Sequence, residues 1–191
     1  NRDGKITGDD DGVHVRDVRD DVIVINSYGG SITGRSDDGV DIRHVGDDVG
    51  IDNRFHGTIS GRDNGVQIND VDNVVIANGS GGSIRGRNGD GIRIDDADGL
   101  VIIDNTRRGR IVGRDDGIRI ENADDDVAID NRYGGRIEGE RGQGIDIRNV
   151  DDDVWIDNRY GGKITGHDDG VKIRNVGDDV VILNSRGGRI I

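Results

Sequence analysis

Valine and isoleucine recur along the chain in short alternating runs, such as "GVKIRNV" at 170–176 and "DVVIL" at 179–183, each closed off by Gly, Asp or Asn. An alternation of period two over a few residues marks a half-buried strand, and β-branched side chains favour the pleated backbone. No stretch carries the 3.6-residue period of an amphipathic helix, so the pattern predicts an all-β protein.

The runs come in threes, and the threes repeat. Units begin at Asn1, Asn26, Asn53, Asn78, Asn105, Asn131 and Asn158, each 25 to 27 residues long, with a partial unit at 184–191. The copy from Asn158, "NRYGGKITGHDDGVKIRNVGDDVVIL", shows the plan: three short strands separated by turns rich in Gly, Asp and Asn. Alternation assigns one inward residue to the first strand (the series Ile6 to Ile164). It assigns two to the second (Val13 to Val171 and Val15 to Ile173) and two to the third (Val22 to Val180 and Val24 to Ile182). A further apolar series runs from Val18 to Val176 at the corner after the second strand.

No unit buries these residues alone, but units stacked at the inter-strand spacing of about 4.8 Å enclose them in one continuous column. The expected fold is a parallel β-helix, or β-solenoid, of about seven coils with three short strands per coil, roughly 35 Å long and forming a single domain over 1–191. Two turn series stand out. A Gly precedes every second strand, at Gly12, Gly39, Gly65, Gly91, Gly117, Gly144 and Gly170, where a positive φ is expected. The Asn that opens each unit is expected to stack into a ladder of side-chain amides.

Composition agrees with an array rather than a mixed globular core: 34 Gly, no Pro, Met or Cys, and only one Trp, three Tyr and one Phe. A formal charge of −13 disfavours nucleic acid and anionic membranes as partners, and no apolar run reaches the length of a membrane span. Without Cys there is no disulfide framework and no thiolate chemistry. The chain begins without Met and both ends fall inside a repeat, so it reads as a segment of something longer.

Candidate chemistry is sparse. The four His residues, His14, His44, His56 and His167, occupy four different registers with no triad-like relation to a Ser, and paired carboxylates are too common to mark a glycosidase. No catalytic residue and no cofactor site is assigned. The turn before the third strand stacks Asp125 over Asp152 and Asp178, and beside them Asp126, Asp153 and Asp179; such a ladder offers oxygen ligands to calcium, or consists of solvated turn formers. Tyr28, Phe55, Tyr133 and Tyr160 share one register, two residues after the opening Asn, and form an aromatic edge suited to stacking on sugar rings or on each other. The outward positions of the third strand, Ile23, Val75, Ile102, Trp155 and Val181 among them, form an apolar stripe expected to be either an interface or a β-favouring surface. The outward face of the second strand, with Arg93 and Arg119 beside Asp95 and Glu121, reads as a salt-bridged, solvated surface.

The pattern "NSxGGxIxGxxDDGVxIxxVxDDVxIxN", from Asn26 to Asn53, resembles the repetitive passenger regions of bacterial autotransporter and adhesin-type surface proteins. The resemblance covers the whole chain and implies a right-handed β-helix at the cell surface or outside the cell. It departs from the family's simplest pattern in its heavy charge, and it lacks the C-terminal membrane barrel. It implies a structural or adhesive rod with no catalysis of its own, with a carbohydrate-active β-helix enzyme or a calcium-dependent binding module as alternatives. The expected partners are a second copy, through the apolar stripe or by end-to-end coil stacking, or a glycan or surface protein.

Overall fold

The computed structural model describes residues 3–191; Asn1, which opens the first repeat, lies outside the described residues. Twenty-two strands and no helix make up the chain among the described residues. The first coil contributes β1 (Lys5–Gly8), β2 (Val13–Val18) and β3 (Val22–Ile25), and the same three elements return in every later coil up to β22 (Arg189–Ile190). First strands stack only on first strands, second on second and third on third. The result is three parallel sheets of eight, seven and seven strands.

Register between coils is set residue by residue: Ile84 pairs with Ile59 and Ile111, Ile94 with Ile68 and Ile120, and Ile103 with Ile76 and Ile129. In the first and second strands a slip of one residue would turn the apolar set outward, so the Val and Ile pattern specifies the register there. The inward series converge in one core, almost completely buried from Ile32 to Ile164. In the first and last coils the same positions are covered from one side only: Ile6 is 49% exposed and Ile182 42%, although alternation places both in the column.

The apolar series from Val18 to Val176 belongs to the second strand itself, as its last residue. Alternation breaks before it because the preceding position has a left-handed backbone in all seven coils: Asp17, His44, Asp70, Asp96, Asn122, Asn149 and Asn175 have φ of 54–58°. Asp, Asn and His are the non-glycine residues that tolerate this conformation best. The extra bend turns the strand end inward, so its final Val or Ala reaches the core.

The glycines before the second strands have no positive φ. Close approach of the backbone explains them instead: a Cβ on Gly39 would lie 2.5 Å from the carbonyl oxygen of Gly65 and 2.8 Å from Ile59 Cγ2. Among the glycines, positive φ is confined to the turn that opens a coil. In "NRYGG", Tyr133 and Gly134 both have positive φ (54° and 78°), the demand of a type I′ turn, whereas Gly135 is required because a Cβ there would meet the carbonyl oxygen of Asn105 at 2.1 Å.

Candidate functional site

Two buried polar ladders run along the rod. In the first, each opening Asn donates from Nδ2 to Oδ1 of its copy one coil on, from Asn26 to Asn53 (2.8 Å) through Asn78, Asn105 and Asn131 to Asn158 and Asn184 (2.9 Å). The second Nδ2 hydrogen goes to a backbone carbonyl, that of Arg136 for Asn105. An amide can do this because it both donates and accepts. The ladder expected from the sequence is therefore present, and its role is to satisfy a buried turn.

The second ladder stands immediately before the close-approach glycines, at Asp38, Asn64, Asp90, Asp116 and Gln143, all buried. Each of the first four side chains accepts the backbone N–H of its copy in the next coil: Asn64 N–H on Asp38 Oδ1 (2.8 Å), Asp90 on Asn64 (2.7 Å), Asp116 on Asp90 (2.9 Å) and Gln143 on Asp116 (2.6 Å). Burial is the main cause that pushes the carboxyl of Asp38 up to about 7 and that of Asp90 up to about 6; Asp116 is raised for the same reason. The visible signal of this ladder in the sequence is the repeated Asp-Gly, Asn-Gly or Gln-Gly pair, which local pattern does not distinguish from an ordinary turn.

The turn before the third strand is different because its carboxylates are open to solvent. Oxygens of Asp125, Asp126 and Asp152 come within 4.8 Å of one another, as do those of Asp21, Asp47 and Asp48. Asp126 and Asp153 accept the N–H groups of Asp153 and Asp179 (3.0 and 2.8 Å), so one carboxylate oxygen in each is a turn acceptor. Asp153, Asp178 and Asp179 do not join a comparable group among the described residues. Three carboxylate ligands, all exposed in the Asp21 group and half-buried at Asp125 and Asp126, are about half of the six to eight oxygens that calcium takes. Another cluster places His14 Nδ1 2.8 Å from Asp41 and 3.2 Å from Asp11; together with Arg43 Nε, 2.8 Å away, it partners the buried Asp41 carboxylate.

The apolar stripe lies on the outward face of the third sheet, with Ile23, Val75 and Trp155 exposed and Ile102 and Val181 half-buried. On the second sheet, Arg93 meets Asp95 at 2.7 Å and Arg119 meets Glu121 at 2.8 Å, the salt-bridged face expected from the sequence.

The four aromatic residues form two separate stacks. Tyr28 lies on Phe55 with ring centroids 4.8 Å apart and planes 12° from parallel; Tyr133 lies on Tyr160 at 5.1 Å and 14°. Between the stacks, the same register holds Ser80 and Arg107. The break opens a cleft of about 250 Å³ bounded by Phe55 at one end and Tyr133 at the other, with Asp104, Thr106, Asp130 and three arginines in its walls. Two of those arginines are held in place. Arg54 bonds Asp52 through Nε (3.0 Å) and Nη2 (2.7 Å), which lowers the Asp52 carboxyl, and Arg132 forks onto Asp130; each guanidinium also sits over its neighbouring ring, at 5.7 and 5.5 Å. The shared register of the aromatic residues is visible in the sequence, whereas the cleft at its interruption is visible only once the coils are stacked.

No protein-family model matches this chain, and no curated protein or solved structure does.

Proposed function

We propose that the protein is a structural or adhesive rod, a stalk or passenger segment of a secreted or surface-displayed bacterial protein, and that the rod itself carries out no catalysis. The observation that supports this reading most directly is the unbroken Val and Ile column through seven coils in constant register. Such a column makes a stiff spacer, since each coil is clamped to both neighbours by a full set of strand hydrogen bonds and by packed aliphatic side chains. The charged outer face of the second sheet keeps the rod hydrated, and the resemblance of "NSYGGSITG" to passenger repeats supplies the surface context. The apolar stripe on the third sheet is the face through which a second copy or a neighbouring part of the same surface protein would pack.

Labelling of intact producing cells with an antibody against the rod tests this reading. Strong labelling without permeabilisation is the expected result. Labelling that appears only after permeabilisation would overturn it.

A further inference from the structure

We propose that the slot at Ser80 is a binding site for one neutral hexopyranose unit of a glycan. The aromatic register is interrupted at Ser80 and Arg107. Phe55, Ser80 and Arg107 occupy it in three successive coils, each about 4.8 Å from the next, so Phe55 and Arg107 stand about 10 Å apart in that register, with the small Ser80 side chain at the position between them and the Arg54 guanidinium 5.7 Å from the Phe55 ring centroid. That spacing leaves room for one ring in place of the missing aromatic side chain, seated on Phe55 as Tyr28 is seated on its other side. Gly79 and Gly81, flanking Ser80, add no side chain to the slot.

The chemistry of the slot selects the ring. The face of Phe55 carries negative charge density and attracts the weakly positive C–H groups on the face of a pyranose. Arg107 has no ionic partner among the described residues, and Asp104 uses one carboxylate oxygen to accept the N–H of Thr106 (2.9 Å), which leaves the other for a ligand. A ligand that only accepts, such as a carboxylate or phosphate, leaves Asp104 unmatched; one that only donates leaves Arg107 unmatched. A ring of hydroxyl groups does both. Arg54 and Arg132 are already forked onto Asp52 and Asp130, so those charges cancel within the protein and the slot has no surplus charge for an anionic sugar. Their fixed guanidinium edges reduce the ordering that binding would otherwise require.

The register supplies a plug that leaves the fold intact. Ser80 has φ of 53°, matching Tyr28 (54°), Phe55 (53°) and Tyr133 (54°), so Ser80→Phe inserts an aromatic ring into a backbone that already accepts one in four other coils. It should stack on Phe55, raise or preserve the unfolding midpoint, and fill the slot.

The test is an NMR titration of the ¹⁵N-labelled protein with neutral gluco-, galacto- and manno-oligosaccharides and with a hexuronate oligosaccharide of equal length. The expected result is saturable shifts of the amides of Phe55, Ser80 and Arg107 with at least one neutral series, in the millimolar range. Ser80→Ala should retain this affinity, while Ser80→Phe and Phe55→Ala should each weaken it by about tenfold or more, equivalent to about 1.4 kcal/mol. Absence of saturable shifts with every neutral series overturns the proposal. So does undiminished binding by a folded Ser80→Phe, or tighter binding of the uronate than of its neutral parent. The proposal stands or falls independently of where the rod is displayed.

Discussion

The two buried polar ladders occupy equivalent places, one at each of two corners of the coil, yet one is uniform and the other is mixed. Every described member of the first is Asn; the second accepts Asp, Asn and Gln in turn. The difference follows from what each side chain must do. In the first ladder every amide between the two end members donates to the next coil's amide and to a backbone carbonyl while accepting from the previous one, and only a side chain with both functions at the right reach continues the chain. In the second, the side chain need only accept one backbone N–H, which a carboxylate or an amide does equally well. Tolerance of charge at the second corner has an energetic consequence, because a buried carboxylate resists ionisation.

An acid placed in the first ladder should have the largest effect. Asn105→Asp removes the donor that serves both Asn131 and the Arg136 carbonyl and buries a charge without a cation, so a loss of about 3–5 kcal/mol is expected in urea unfolding. A loss below about 1 kcal/mol would show that the two corners are energetically alike. The reverse substitution at the other corner should stabilise the rod. Asp90→Asn keeps the acceptor for the Asp116 N–H and removes the charge, for a gain of about 1–2 kcal/mol at pH 8 that vanishes near pH 4.

Carboxylate burial also sets the sign of the wild-type pH profile. Asp38 and Asp90 titrate at about 7 and about 6 when folded, against an ordinary value of 3.8, so the folded state holds their protons more tightly than the unfolded chain does. Their contribution is fully present below pH 3.8 and is lost as pH rises through 6 to 7. Asp52 and Asp157, held low by Arg54 and Arg159, act in the opposite sense and lose their contribution as pH falls below the ordinary carboxylate range. The unfolding midpoint, followed by circular dichroism, should therefore be higher at pH 5 than at pH 8 and fall again below pH 4. A profile that rises steadily from pH 5 to pH 8 would contradict the buried-carboxylate account.

The smallest effect is expected at the exposed aspartates. Mutual repulsion contributes to the raised carboxyls of Asp47, where Asp21 is the main cause, and of Asp152, where Asp125 adds to desolvation. Solvent reaches both turns, so salt should relieve the strain. Millimolar calcium and a chelator should give midpoints that differ by less than the shift produced by Asp90→Asn. A larger rise with calcium would show that an open carboxylate ladder can hold an ion.

Much of this was legible in the residues themselves. The Asn series, the three strands per coil and the inward Val and Ile positions follow from a period of 25 to 27 residues and an alternation of two, because every coil repeats the same local problem. Ile6 and Ile182 were legible as inward-facing but not as exposed, since a repeat pattern does not distinguish a coil covered on both sides from one covered on a single side. The glycines before the second strands were located correctly and explained wrongly: a required Gly looks the same in sequence whether it answers a positive φ or a close carbonyl.

The residue pattern was enough to specify the architecture, because the alternating Val and Ile series on the inward face of each strand have one self-consistent stacking that buries them together. Tertiary structure alone decided what lies between coils. Hydrogen bonds such as Asn64 to Asp38 join residues 26 positions apart, and the cleft at Ser80 exists only because Phe55, Ser80 and Arg107, separated by about a coil each, become neighbours along the rod. Local pattern specifies the coil, whereas charge burial, ladders and binding surfaces arise from the 4.8 Å step between one coil and the next.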